Sequence, residues 1–290
     1  MADPLRLAVL TDGRAGNRTL GLGVAEAIAR QRPAEIVEGE EGLAEADLII
    51  GAGQAGNRAA ARARRRLRRP AVAVLRPPLP WLRFDAIVVP EHDGLSGPGV
   101  FTTLGAPNRL TREGLARAGA DHPLGPRALV ALIGGPSRSA GFDADALIAD
   151  LARFRAAGFS LHATTSRRTP ADLPDRLREA RPEMMVWDGS GANPYPGWLA
   201  HAAAILVTAD SVNMGSEAAA TGRPIFISGE VRLARKLRHF HSALRARGIA
   251  RPAADGPADW SYAPLAEADR IAPALIAHLG LDGPRPRRAE

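Results

Sequence analysis

Short apolar runs that alternate with helical stretches most constrain the fold of this 290-residue chain. The runs are rich in Val, Ile, Leu and Ala, which predicts parallel strands buried on both faces. The predicted strands lie at residues 5–10, 34–37, 47–51, 71–75, 85–89, 128–133, 160–164, 184–187, 205–208 and 224–227. The predicted helices lie at 19–30, 56–68, 143–156, 171–180, 211–221, 231–247 and 265–279.

The alternation is interrupted by a loop-rich stretch at 90–107 and by Pro123-Leu-Gly-Pro126, which is typical of a hinge. We therefore predict an α/β protein with two Rossmann-like domains whose parallel sheets face a central cleft. The predicted N-terminal domain covers 1–125, the C-terminal domain covers 126–280, and 281–290 form a disordered tail. Open sheets of this class bind ligands at the carboxyl ends of their strands, so polar residues that follow strands are the candidate site residues.

Composition narrows the functional classes. The chain has no cysteine, which excludes disulfides, thiolate metal sites and a cysteine nucleophile. Its hydrophobic content of 46% is enough for two cores, yet no run of about 18 apolar residues indicates a membrane span. The first residues show no signal-peptide pattern, so we expect a cytoplasmic protein.

The net charge of +7 comes almost entirely from arginine, which is typical of a GC-rich bacterial genome and weak evidence for nucleic-acid binding. No aromatic residue interleaves the arginine cluster at 58–69, so we expect no nucleic-acid partner. Arg58, Arg62, Arg65 and Arg69 share one face of the predicted helix. That face suits an anionic surface of the inner membrane or an acidic lipid acceptor, and a solvated helix face is the alternative.

Two glycine-containing turns follow strands of the first predicted domain. In Thr11-Asp-Gly-Arg-Ala-Gly-Asn17, Gly13 and Gly16 allow a tight turn and close approach of a ligand. Gly51-Ala-Gly-Gln-Ala-Gly-Asn57 repeats the pattern and contains Gln54. Neither motif is a dinucleotide fingerprint or a phosphate loop. We predict an acceptor or anion site there, with packing turns capped by Asp12 or Asn17 as the alternative.

The same domain offers two candidate general bases. His92 lies in Pro90-Glu-His-Asp-Gly94, directly after a strand, and an unperturbed histidine pKa of about 6.5 suits proton abstraction near neutral pH. Asp12 is the competing base. Three adjacent side chains at 91–93 diverge, so a metal cluster there is not expected.

Hydroxyl and guanidinium groups follow the first two strands of the second domain. Gly134-Gly-Pro-Ser-Arg138 combines space at Gly134 and Gly135 with Ser137 and Arg138, which can contact phosphate. Thr164-Thr-Ser-Arg-Arg-Thr-Pro170 adds Thr165, Ser166 and Arg167, a composition that suits a diphosphate. A capped loop with solvated arginines is the alternative.

The segment 205–227 reads as strand, polar turn, short helix and strand. A helix that begins at Asp210 or Ser211 places Glu217 in its second turn, too far along to complete a capping box. Its free amides favour an anion, and a carboxylate at that depth suits a ribose hydroxyl pair. A capped helix with a solvated glutamate explains the segment equally well.

Two further motifs have competing interpretations. Asp143-Ala-Asp145 has the spacing of a metal-binding acid pair, but it opens a helix, where acids favour the positive end, so we predict capping and no metal site. Trp187 and Tyr195 can wall a base-binding pocket with Asn193 orienting the ring, or Trp187 can pack in the core.

These motifs together resemble the bacterial members of the mitochondrial-fission ELM-type family, from about Leu5 to Leu279. The family's sequence logic is similar to that of GT-B glycosyltransferases, whose donor nucleotide lies against the C-terminal domain. The resemblance implies that Glu217 holds the donor ribose and that the Gly134-Gly135 turn and the 164–169 loop face the diphosphate. It also implies catalysis without a bound metal or other cofactor.

We therefore predict a glycosyltransferase that moves a sugar from a nucleotide-sugar donor to an unknown, membrane-associated acceptor. The predicted donor residues are Gly134, Gly135, Ser137, Arg138, Thr165, Ser166, Arg167, Asp210, Ser211 and Glu217. Two alternatives remain: a nucleotide-sugar epimerase or hydrolase, and a non-catalytic adaptor that binds a membrane or a partner.

Overall fold

The computed structural model describes residues 3–78 and 83–283. Over these residues the strands are β1 (Leu5–Leu10), β2 (Ala34–Glu38), β3 (Leu48–Ala52), β4 (Ala71–Val74), β5 (Ala86–Pro90), β6 (Val100–Thr103), β7 (Ala128–Ile133), β8 (Ser160–Thr165), β9 (Met185–Trp187), β10 (Ala204–Thr208), β11 (Ile225–Ser228) and β12 (Ala250–Pro252). The helices are α1 (Ala15–Gln31), α2 (Gly53–Leu67), α3 (Arg112–Gly119), α4 (Ala144–Ala156), α5 (Leu173–Ala180), α6 (Tyr195–His201), α7 (Val212–Ala219), α8 (Arg235–Ala246) and α9 (Glu267–His278).

These elements form two compact α/β units, each around a six-stranded parallel sheet. The first sheet has the order β2-β1-β3-β4-β5-β6 and the second has the order β12-β11-β10-β7-β8-β9. All residues of β3, β7 and β10 are buried, because helices that connect parallel strands must cross over the faces of the sheet. The predicted α/β class with two parallel sheets is confirmed.

The core of the second unit lies between its sheet and α4. Phe154 on α4 packs edge-to-face against Phe226 on β11, with ring centroids 4.7 Å apart. Leu129 and Leu206 complete the same fully buried cluster. Each such side chain stabilises the unit by about 1.5–3 kcal/mol on transfer from water, so this cluster holds β7, β10 and β11 and the loops at their ends.

The units divide the chain differently from the expected 1–125 and 126–280. One unit contains the residues up to Arg109 and those from Ala266 onward, and the other is Leu110–Leu265. Helix α9 belongs to the first unit, where Ala268 and Ala272 pack against Ala27 of α1. An ion pair between Arg30 and Asp269, at 2.7 Å, supports the same contact.

Residue 281, where the disordered tail was expected to begin, packs against the rest of the first unit. Leu281 is buried, and its carbonyl accepts a hydrogen bond from the Arg32 guanidinium. The rest of the predicted tail, 284–290, lies outside the described residues. None of the helices in the described ranges combines the length and apolar character needed to cross a bilayer.

Four short elements were not predicted. Strand β6 falls in the stretch expected to be loop, and three of its four residues keep some exposure, so it has no apolar run. Strand β12 is three residues long and ends in Pro252. Helices α3 and α6, of eight and seven residues, were also not predicted.

Candidate functional site

The loops at the carboxyl edge of the second sheet are tied together by Asp210. Its side chain is 1% exposed, and its Oδ2 lies 2.6 Å from Arg168 Nη2. The Gly135 amide donates to the same oxygen at 3.2 Å, and the Thr208 hydroxyl donates to Oδ1 at 2.7 Å. Asp210, predicted to bind the donor, is therefore fully engaged by the protein itself.

The predicted diphosphate loop is held by the same network. Thr169 Oγ1 lies 2.9 Å from the carbonyl oxygens of Ile133 and Gly134 and accepts from the Ser166 amide at 2.8 Å. Thr165 Oγ1 donates to the Trp187 carbonyl at 3.3 Å. Thr165 and Ser166 thus make contacts inside the protein that shape the loop.

Packing explains both glycines after β7. The Gly134 amide donates to Thr208 Oγ1 at 2.8 Å. A Cβ atom at Gly134 would overlap the Asp210 carboxylate, and one at Gly135 would overlap the backbone of Arg168. These positions therefore require glycine so that the loops can meet, whether or not a ligand approaches.

The guanidiniums of Arg138 and Arg167 remain unengaged at this edge. Both side chains are exposed, and neither has a hydrogen-bond or ion-pair partner in the described ranges. Ser137 is different, since its hydroxyl accepts from the amides of Ser139 and Ala140 at 3.1 Å. Ser137 is therefore bonded within the protein, whereas Arg138 and Arg167 have no partner in the described ranges. These two arginines follow neighbouring strands, β7 and β8.

The sequence analysis missed Arg232, which also has no hydrogen-bond or ion-pair partner within residues 3–78 and 83–283. It adopts a left-handed conformation with φ of 48°, which a non-glycine residue adopts only at a cost. Its loop is fixed to the Arg138 loop by a hydrogen bond from the Ala234 amide to the Ser139 carbonyl at 2.7 Å. Arg232 fell at the start of the helix predicted at 231–247, so no sequence signal indicated that it lies in a loop.

Glu217 is a partly buried acid without a cationic partner among the described residues. It lies in the second turn of α7, whose cap is Ser211, with the Ser211 hydroxyl accepting from the Met214 amide at 3.3 Å. The Tyr195 hydroxyl donates to Glu217 Oε2. Burial raises the pKa of Glu217 to about 7, and the hydrogen bond from Tyr195 opposes that rise.

Tyr195 is the partner of Glu217 that sequence reasoning considered only as an aromatic wall. It is the first residue of α6, and the Asn193 side chain accepts a hydrogen bond from its amide at 3.0 Å. Burial raises the pKa of Tyr195 well above its usual value, and the Glu217 charge adds to the effect. The phenol therefore stays neutral and acts as a donor to Glu217.

In the first unit, the predicted acceptor-side residues meet where β1 and β3 end. Asp12 Oδ1 accepts from the Arg14 amide at 3.1 Å and from Asn17 Nδ2 at 3.0 Å. The hydrogen bond from Asn17 holds the pKa of Asp12 below its usual value. Arg14 is the cap residue of α1 and makes no side-chain cap bond, so neither Asp12 nor Asn17 caps the helix.

The α2 turn adjoins this group. A Cβ atom at Gly53 would overlap the Asn17 amide, and one at Gly56 would overlap the Leu10 carbonyl. Gln54, in the first turn of α2, is exposed. The strand order and these contacts bring Gln54 and Asn17 to one region, with Gly13 and Gly16 in the turn before α1 and in its first residues.

His92 lies apart from Asp12. It sits in a short 3-10 helix, Glu91–Asp93, directly after β5, and it is partly buried. Strands β3 and β4 separate β1 from β5, which puts the two strand ends roughly 14 Å apart at the usual strand spacing. Asp12 and His92 therefore cannot act as a hydrogen-bonded pair.

The acid pair at the start of α4 is structural, as predicted. Asp143 caps the helix by accepting from the Ala146 amide at 2.9 Å, and Asp145 pairs with Arg176 at 2.7 Å. Across residues 3–78 and 83–283, no group of three or more His, Asp or Glu side chains is arranged to hold a metal ion.

The arginine face of α2 is exposed. Arg58, Arg62 and Arg65 have no acidic partner in the part of the chain that the structure describes, whereas Arg64 pairs with Asp85 at 2.7 Å. Helix α2 itself contains no acidic residue. The surface is therefore a continuous basic stripe along one helix.

Solved structures with the GT-B fold, which has two Rossmann-like domains, resemble this chain over almost its whole length. A putative UDP-N-acetylglucosamine 2-epimerase from Listeria monocytogenes superposes with a TM-score of 0.58 at 12% identity, covering 99% of this chain and 100% of that chain. The Neisseria meningitidis UDP-GlcNAc 2-epimerase gives 0.53 at 11% identity over 96% and 100%. E. coli ADP-heptose LPS heptosyltransferase II gives 0.51 at 10% identity over 96% and 99%. At these identities the likeness establishes the fold alone.

The chain belongs to the mitochondrial fission ELM1 family, whose model matches residues 8–279. It is 33% identical to the mitochondrial fission protein ELM1 of Arabidopsis thaliana over 168 residues, which are 54% of this chain and 39% of the plant protein. It is 27% identical to an uncharacterized Rickettsia prowazekii protein over 252 residues, 69% of this chain and 70% of that protein. The expected family and GT-B-like architecture are thus confirmed.

Proposed function

We propose that the second unit binds a nucleotide sugar and that the protein is a metal-independent glycosyltransferase. The observation that carries this proposal is Glu217, a partly buried carboxyl group that no cation among the described residues neutralises. Keeping such a group away from water costs free energy, and strongly perturbed acids of this kind concentrate at functional sites. Because the pKa of Glu217 is about 7, the ionised carboxylate is present near neutral pH and can accept hydrogen bonds from a ribose hydroxyl pair.

The free cations supply the second part of the donor site. Arg138 and Arg167 follow neighbouring strands, and Arg232 lies in a loop bonded to that of Arg138. In the proposed reaction the bond between the sugar and the diphosphate breaks, and negative charge develops on the leaving nucleoside diphosphate. Guanidiniums stabilise that charge through bidentate hydrogen bonds without a metal ion.

The protein scaffold keeps these cations available. Arg168 is neutralised by Asp210 and donates to the Gly135 carbonyl at 3.2 Å. In our proposal Gly134, Gly135, Thr165, Ser166 and Asp210 position the loops, and Arg138 and Arg167 contact the diphosphate. Ser211 is assigned to fixing the start of α7, the helix that carries Glu217.

The first unit offers two candidate bases for the acceptor hydroxyl. The lowered pKa of Asp12 makes its carboxylate a weak base, which favours His92 for this role. The variants Asp12→Asn and His92→Gln distinguish the two candidates, because only loss of the true base should lower turnover at saturating donor. Turnover equal to that of wild type in both variants would exclude both assignments.

Nucleotide binding is the first test. UDP, GDP, CMP, ADP and dTDP are titrated by calorimetry into wild type, Glu217→Gln and Glu179→Gln, the last being an exposed acid of the same unit. We expect one nucleotide to bind, a loss of about 1–3 kcal/mol in the Glu217 variant, and no change in the control. Absence of binding by any nucleotide would refute the proposal.

Product analysis then identifies the reaction class. Once the nucleotide is known, its sugar conjugates are incubated with the protein and a membrane extract, and products are followed by mass spectrometry. Transfer yields a heavier acceptor, hydrolysis yields free sugar, and epimerisation yields an isomeric donor. Either of the last two results would replace the transferase by the alternative enzyme.

The arginine stripe on α2 supports a second candidate function, attachment to an anionic membrane. Each arginine near an anionic surface contributes about 1 kcal/mol, so Arg58, Arg62 and Arg65 together contribute roughly 3 kcal/mol. Sedimentation with phosphatidylglycerol vesicles is compared for wild type, the triple Arg→Gln variant of α2 and a control that removes the same charge from α8. Equal sedimentation of all three would remove the α2 stripe as a membrane contact.

A further inference from the structure

A pocket of the second unit lies at the amino edge of its sheet, where β10 and β11 begin. Its volume is about 490 Å³, and it is lined by α3, by the end of α6, by the loop after α7 and by residues near Pro264. The α6 and α7 segments directly precede β10 and β11, so they lie where these strands begin. The size falls in the usual range for small-molecule sites.

Two guanidiniums line this pocket without a partner. Arg112 is the first residue of α3, and Arg223 lies between α7 and β11. Neither side chain has a hydrogen bond or an ion pair in the described ranges. Other arginines of the same unit are neutralised, for example Arg176 by Asp145 at 2.7 Å. Two like charges on one concave surface repel each other, and an anion between them removes that cost.

The pocket also has a fixed apolar wall. Leu115 and Leu199 are buried behind it, and Pro264 lines its rim. The Tyr262 hydroxyl donates to the Arg223 carbonyl at 2.8 Å, and the Arg223 amide donates to Thr221 Oγ1 at 3.1 Å. The backbone of Arg223 is therefore held from both sides, so its side chain starts from a fixed position.

We propose that this pocket binds a small amphipathic anion, a phosphate monoester with an apolar body. The phosphate group lies between the guanidiniums of Arg112 and Arg223, and the apolar body lies against Leu115 and Pro264. Arginine pairs bind phosphate through charge-assisted hydrogen bonds, and each CH₂ group of the apolar body that leaves water increases the affinity further. The pocket's proposed phosphate contacts, Arg112 and Arg223, do not include Glu217, which precedes the lining residue Ala220 by three residues.

Hexyl phosphate is the probe, with inorganic phosphate and hexanol as its two halves. Calorimetry on the full chain should show hexyl phosphate binding more tightly than either half. We expect at least a tenfold loss in Arg112→Ala and in Arg223→Ala, since each removes one cation from the phosphate. Arg117→Ala, on the same helix but outside the pocket lining, is the matched control and should bind normally.

A steric variant tests the location directly. Ala116→Trp places a large ring in the pocket from an exposed position of α3, so it should abolish hexyl phosphate binding while the protein remains folded. Glu217→Gln should bind hexyl phosphate as wild type does, which separates this proposal from that for the nucleotide. Absent binding in wild type, or equal binding in the Arg112, Arg223 and Arg117 variants, would overturn the proposal.

Discussion

Replacing Glu217 by Gln should have two opposite effects, weaker nucleotide binding and a more stable free protein. Burial raises the pKa of Glu217 from 4.5 to about 7. The native state therefore holds the proton more tightly than the unfolded chain, and stability falls as the pH rises from about 4.5 through 7. Gln carries no charge, so the stability of the variant does not fall over this pH range for this reason.

The magnitude follows from the size of the pKa shift. One unit corresponds to about 1.4 kcal/mol, so the full shift corresponds to about 3 kcal/mol above pH 7. Glu217 keeps partial exposure, so we expect roughly 1–3 kcal/mol in practice. In a domain of this size each kcal/mol raises the melting temperature by about 2–4 °C. The variant should thus melt several degrees higher at pH 8 and at the same temperature as wild type near pH 4.

Nucleotide affinity should show the complementary pH dependence. If the ionised carboxylate binds the ribose, wild-type affinity should fall about tenfold from pH 8 to pH 6, because the fraction ionised falls by that factor. The Glu217→Gln variant should bind more weakly at pH 8 and show no such change. Melting curves and calorimetry between pH 4 and pH 8.5 measure both effects, with Glu179→Gln as control.

Two results would refute this reasoning. A variant that is no more stable than wild type at pH 8 would mean that the carboxyl is solvated and its pKa normal. A variant with higher stability but unchanged nucleotide affinity would mean that Glu217 is a buried structural acid. Only the combination of gained stability and lost affinity identifies a residue kept for a ligand.

Three further substitutions test neighbouring parts of the site. Tyr195→Phe removes the hydrogen bond that lowers the pKa of Glu217, so the pH midpoint of nucleotide binding should move upward in calorimetric titrations. Asp210→Asn breaks the ion pair with Arg168 and should lower the free energy of unfolding, measured in urea, by about 1–3 kcal/mol. An unchanged free energy of unfolding would instead mean that Asp210 is solvated and does not hold the loops together. Asp143→Ala removes the α4 cap and should cost about 1 kcal/mol while leaving nucleotide affinity unchanged with Mg²⁺ or EDTA; a Mg²⁺-dependent loss of affinity would instead indicate a metal ligand.

The fold was largely predictable because fully buried parallel strands carry a strong local signal. All residues of β7 are buried, so its apolar run is uninterrupted. The edge strands β6 and β12 lack such a run. The unit to which α9 belongs depends on small residues such as Ala268 that fit against α1, and no local pattern specifies which of two units they contact.

The positions of the candidate residues in the fold were predictable, but their contacts were not. Gly134, Thr165 and Asp210 lie at the carboxyl ends of strands, where the sequence placed them, and Glu217 lies in the second turn of α7. The partners could not be read, because Gly135 and Asp210 are 75 residues apart and Tyr195 and Glu217 are 22 apart. Contacts at that separation arise from the sheet order.

The arginines of this chain differ in whether an acidic side chain neutralises them, and this difference says more about their roles than their number does. Arg167 and Arg168 are adjacent in sequence, yet Asp210 neutralises Arg168, whereas Arg167 has no partner among the described residues. The engaged arginine fixes the loop, and the free one keeps its charge for a ligand. In an arginine-rich chain, the guanidiniums that lack an acidic partner at a strand edge or in a pocket are therefore the ones whose substitution should change binding before it changes stability.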